Sequence, residues 1–137
     1  MKMKALIISK PEVALLFLRA SLGVLLLLHG IGKLMDLLNG NTAFFDDFDP
    51  FGVGSLTMLY AAVFAEFFCP VLIILGWFTR LALVPVISTL SVAFFVFHAT
   101  DDFLDKELPL VYLIGFIFLF LTGPGKLSID NWTKPHN

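Results

Sequence analysis

From Glu12 to Leu38 the chain runs almost unbroken through apolar residues, and inside that run stand Arg19, His29 and Lys33. About 20 apolar residues in a helix cross the hydrocarbon core of a bilayer. An ionisable side chain placed there costs at least about 2.5 to 3.5 kcal/mol on insertion scales, so it normally faces protein or a wet cavity and marks function. At about 100° per residue the three side chains fall within a fan of roughly 80°, with Gly23, Leu26 and Gly30 on or beside the same stripe. The pattern predicts a membrane helix with one polar face turned toward partners.

Three further apolar runs, Leu56 to Trp77, Leu81 to Ala99 and Leu104 to Thr122, have about the same length. They leave almost no chain for a soluble domain, and the composition agrees: 58% of residues are hydrophobic and 15% charged, where soluble domains carry about a quarter charged residues. The expected fold is all-α, an integral membrane four-helix bundle forming one domain over residues 1–137. Sixteen phenylalanines suit lipid-facing and packing surfaces.

The charges outside the runs are sorted by sign. Lys2, Lys4 and Lys10 precede the first run, Arg80 lies in the second loop, and Lys126 and Lys134 follow the last. The first loop holds Asp46, Asp47 and Asp49, and the third holds Asp101, Asp102, Asp105 and Glu107 against Lys106. Basic residues mark the cytoplasmic side, which predicts both termini inside, consistent with four crossings. The basic, apolar N-terminus resembles a secretory signal, but Arg19 interrupts its core and no small-residue cleavage site precedes the polar stripe. Its retention is expected.

Glu66, near the midpoint of the second run, is the deepest carboxylate in the sequence. It must either carry a proton or meet a cation, and by depth Arg19 and His29 both qualify as partners. For Lys33 the bland expectation is a pair with Asp36, three residues on. Pro70 stands four residues after Glu66 and obstructs that residue's carbonyl, so a kink is expected where the charge lies. Phe44, Phe45, Phe48 and Phe51 recur at helical spacing opposite the loop aspartates, as an interfacial lid or an aromatic anchor would. The single cysteine, Cys69, permits no disulfide within one chain and reads as a packing residue.

Arg19, His29, Lys33, Glu66, His98, Asp102 and Glu107 therefore form the expected binding set, with Glu66 and His29 the candidates for proton handling. Such a region suits a polar head such as the carbonyls of a quinone, whose anionic form Arg and Lys would stabilise. Two histidines without a spacing motif are a thin basis for haem, and a divalent metal is equally unspecific. There is no phosphate loop, zinc motif, nucleophile triad or nucleic-acid patch. A non-catalytic scaffold or assembly partner whose charges act as internal staples stays open beside the redox reading, as does a small-solute or proton carrier. So does the question of catalysis itself.

Arg19, Gly23, His29-Gly30 and Lys33, then Glu66, Gly76 and Thr79-Arg80, then Gly123-Pro124-Gly125 with Ser128 and Asp130, form a series that resembles the DoxX family of small four-helix membrane proteins. The likeness runs over nearly the whole chain and departs locally at Leu127, where the family's tail motif has an aromatic residue. It implies a multi-pass protein of the bacterial cytoplasmic (inner) membrane and a subunit of a quinone-linked oxidoreductase complex. The implied partners are lipid and other membrane or redox proteins, or further copies of the chain.

Overall fold

A computed structural model describes residues 10–135. The basic lead with Lys2 and Lys4, and the expectation that it is retained, lies outside the described residues. The first helix, α1, spans Pro11–Leu38 and opens on a proline whose missing N–H costs nothing in a first turn. Three more long helices follow: α2 over Ser55–Leu75, α3 over Thr79–Phe97 and α4 over Phe103–Thr122. A single turn of helix, α5, covers Ile129–Trp132 in the tail. Each long helix packs on its neighbours in chain order and α4 closes the ring against α1.

The apolar surface is turned outward as much as inward. Phe17 and Leu121 are 74% and 72% exposed, an arrangement that only lipid makes favourable on this scale. Helices α1, α2 and α3 are each long and apolar enough to cross a membrane. Four such runs were expected; α4 differs because Asp105, Lys106 and Glu107 occupy its opening turns. The chain is a membrane protein built entirely of helices and loops across the described residues.

Helix α1 buries Arg19, Gly23, Leu26 and Gly30. Their spacing of four, three and four keeps one stripe inward, as a 3.6-residue repeat requires. The core of the bundle joins Leu26, Ile73, Leu83, Val86, Phe116 and Leu119, with Cys69 among them. A smaller cluster of Phe45, Leu59, Ala62 and Val63 lies under the first loop. We call the end where α1 begins the basal end and the opposite one the distal end.

The helix limits differ by a few residues from those the hydropathy predicts, for local reasons. Helix α2 stops at Leu75 because Gly76 turns left-handed at φ 66°, a conformation that a side chain disfavours. A Cβ at Gly76 would also stand 2.5 Å from the Ser128 Cβ. Helix α3 starts at Thr79 because the Asp130 carboxylate accepts the N–H of Phe78 and of Thr79, at 2.8 and 2.9 Å. The first loop forms only one 3-10 turn, Ala43–Phe45. Asp49 ties off the rest by accepting the N–H of Val53 and of Gly54.

Two helices contain a π turn, in which one extra residue is wound into the ladder. In α2 it covers Phe64–Phe68 and ends just before Pro70; in α3 it covers Ala93–Phe97. The expected disturbance at Glu66 takes this form. Its carbonyl oxygen presses so closely on α1 that a Cβ at Gly30 would lie 2.0 Å from it. Only glycine fits there.

Candidate functional site

The π turn in α2 carries Glu66 toward α1, where Lys33 Nζ donates to its Oε1 at 2.7 Å. The carboxylate side chain is 6% exposed and the lysine 29%. Glu66 thus pairs with neither of the partners its depth suggested, and Lys33 does not pair with Asp36, which instead accepts from the Asn41 side chain. The reason is angular. Depth alone puts Arg19 and His29 within reach, but the inward stripe and the Gly30 contact set which turn of α1 faces Glu66. Oε2 of Glu66 is buried and has no hydrogen-bond partner among the described residues.

Lys33 and Glu66 line a cavity of about 480 Å³. Its other walls are overwhelmingly apolar, with Phe44, Phe45, Phe48 and Phe51 from the first loop and Phe97 from α3. Phe45 stacks on Phe97 and Phe48 meets the same ring edge-on at 4.8 Å. The loop phenylalanines therefore reach across to α3 and cover the cavity. Ala61 and Ala62 from α2, and Ser88, Thr89 and Ala93 from α3, keep the interior open by their small size. Both π turns contribute to the lining, as such turns often do at functional sites.

Arg19 belongs to a second polar cluster at the basal end. Its guanidinium donates to the carbonyls of Pro124 and Leu127, the latter at 2.8 Å, and lies 3.5 Å from that of Ile74. The Gly123-Pro124-Gly125 turn and α5 provide these acceptors by bringing the tail back under α1. Glu12 accepts the Lys126 N–H at 2.7 Å, and the N–H of Asp130 donates to the Gly76 carbonyl at 2.9 Å. Burial acts to raise the pKa of Asp130, but the N–H groups of Thr79 and Phe78 and the charge of Arg19 outweigh it and hold the carboxyl below its ordinary value. This clasp was the part least visible from the sequence. The acceptors for Arg19 are backbone carbonyls, and only Arg19 together with a Gly-Pro-Gly turn and a following aspartate hinted at it.

The remaining candidates are dispersed. His98 lines the Phe-walled cavity, and its Nδ1 lies 2.7 Å from Asp101 Oδ2. His29 is exposed and meets Tyr112 of α4 edge-on at 5.9 Å, away from that cavity. Asp102 precedes α4 without capping it through its side chain, and Glu107 is exposed on the same helix. The structure thus brings together Lys33, Glu66 and His98, places Arg19 in the clasp, and leaves His29, Asp102 and Glu107 outside both. Among the described residues no three histidine, cysteine or acidic side chains converge as a metal site would require.

The family model described as DoxX matches residues 14–99. The chain belongs to the DoxX family. That match takes in α1, α2 and α3, and with them every charged residue of the Phe-walled cavity. A protein of Haemophilus influenzae strain Rd, described as uncharacterized, is 33% identical over 79 residues, which are 55% of this chain and 52% of that one. This DoxX chain therefore spans about half the length of that relative. No solved structure matches it.

Proposed function

We propose that this DoxX protein is a multi-pass subunit of a quinone-linked redox complex in the bacterial cytoplasmic membrane, and that the quinone head enters the Phe-walled cavity. One observation carries the reading: an aromatic cavity of small-molecule size contains a buried carboxylate with one oxygen paired to Lys33 and the other without a partner among the described residues. A planar ring with polar groups at its ends fits such walls. Lys33 donates to a carbonyl oxygen of the oxidised ring, and Glu66 Oε2 accepts from a hydroxyl of the reduced one. His98, with Asp101 behind it, carries protons between the cavity and the distal surface. Arg19 has a structural part, because its donors are directed to the tail.

The same reading sets the chain in the membrane as four crossings of one domain, both ends of the sequence on the cytoplasmic side. Arg80, Lys126 and Lys134 gather around one cavity at the basal end, and the aspartates of the first and third loops lie toward the other, which is the charge asymmetry that orients membrane proteins. The test is titration of the detergent-purified chain with decylubiquinone, read by calorimetry. Saturable binding is expected, weakened roughly tenfold by Glu66→Gln or Lys33→Met, the size of one charge-assisted hydrogen bond. No saturable binding, or binding in both variants as tight as in the wild-type protein, refutes the quinone site and leaves a membrane scaffold.

A further inference from the structure

The basal end holds a second cavity, of about 530 Å³, that shares no residue with the Phe-walled one. Charge dominates it: Arg80, Lys126 and Lys134 with Glu12 and Asp130. The two carboxylates are already engaged. Glu12 accepts the Lys126 N–H, and both oxygens of Asp130 accept N–H groups at the start of α3 while its charge faces Arg19. The three cations are not. None of them forms an ion pair among the described residues, and Arg80 uses only its Nε, donating to the Phe120 carbonyl at 3.2 Å, so its two terminal nitrogens stay free. The cavity therefore offers donors and positive charge to an anion.

A separate observation says what kind of anion. An apolar groove of about 390 Å³ runs between α2 and α3, lined by Phe64, Cys69, Leu72, Val84 and Pro85. It meets the charged cavity at Phe78 and Leu81, which line both. A free phosphate would use the cations and leave the groove empty, whereas a molecule with an anionic head and a hydrocarbon tail fills both. We propose that the basal cavity and this groove together form a binding site for an anionic phospholipid, its phosphate against Arg80, Lys126 and Lys134 and one acyl chain along α2 and α3. Basic pockets between membrane helices recognise headgroups by this chemistry.

The test uses the full chain in non-ionic detergent, offered phosphatidylglycerol, phosphatidylcholine with the same acyl chains, or inorganic phosphate. Bound lipid is counted by intact mass and thermal stability is read in parallel. One phosphatidylglycerol should be retained with roughly tenfold preference over phosphatidylcholine. The Arg80→Gln/Lys126→Gln/Lys134→Gln variant should lose that preference, and Val84→Trp, at an exposed groove position, should lower retention with the cations intact. Lys126→Gln/Lys134→Gln, which spares the Arg80 bond to Phe120, should weaken the preference in the same direction should the triple variant not fold. Unchanged retention in the cation variants or in Val84→Trp overturns the proposal. So does a stability gain from inorganic phosphate equal to that from phosphatidylglycerol, which would make the site one for a free anion.

Discussion

Replacing Lys33 by methionine should destabilise this protein far more than replacing its partner. The carboxylate of Glu66 is 6% exposed and Oε1 has Lys33 for its partner. Removing the lysine leaves a buried charge unpaired, a change that costs about 3 to 5 kcal/mol in buried pairs. The reverse change is milder. In Glu66→Gln the lysine, 29% exposed, can reach toward water along its own stem, so the cost should be nearer about 1 kcal/mol, that of one ordinary hydrogen bond. The double variant Lys33→Met/Glu66→Gln should recover part of the loss, because it removes the buried charge and leaves a neutral amide, whose burial costs less. Dodecyl sulfate titration of the purified protein, followed by the fluorescence of Trp77 and Trp132, gives the four corners of the cycle. Equal costs for the two single variants, or a double variant no better than Lys33→Met alone, would refute the claim that Glu66 is buried against a single cation.

Two further outcomes follow from the geometry. Gly30→Ala places a methyl 2.0 Å from the Glu66 carbonyl and must push α1 from α2, so it should cost at least the about 1 to 3 kcal/mol of overpacking, read as a lower melting temperature. Gly32→Ala, where a Cβ meets nothing within 4 Å, should have almost no effect. Asp130 has a lowered pKa, so its contribution to holding the tail is complete above its unfolded value near 3.9 and is lost as pH falls through the lower, folded value. Limited proteolysis of the tail should accelerate only below about pH 4, and in Asp130→Asn the tail should be cut readily at neutral pH.

The sequence made the membrane setting and the inward stripe of α1 legible because both are periodic properties of side chains, except at His29, which the count puts on that stripe and which is exposed. Arg19, Gly23, Leu26 and Gly30 could be assigned to one face by counting residues, and they are the buried ones. Pairings between helices were not legible, since they depend on rotation and register that no single helix encodes. Glu66 illustrates this: a π turn adds a residue before Pro70 and rotates the carboxylate to Lys33, and hydropathy carries no trace of that extra residue. His29 and His98 belong to one expected binding set yet lie in different surroundings, one against Tyr112 and the other in the Phe-walled cavity. The tail clasp escaped for a different reason, because carbonyl acceptors have no sequence signature of their own.

That clasp also imposes an order on biosynthesis. Arg19 enters the bilayer with α1, but the carbonyl it grips at Pro124 is made 105 residues later. Until the ribosome has released that stretch, the buried guanidinium has the Ile74 carbonyl at 3.5 Å and lacks the closer acceptors that the tail provides. The basal end can therefore lock only after the Gly-Pro-Gly turn has been made, and a chain cut short of that turn leaves Arg19 without its tail acceptors.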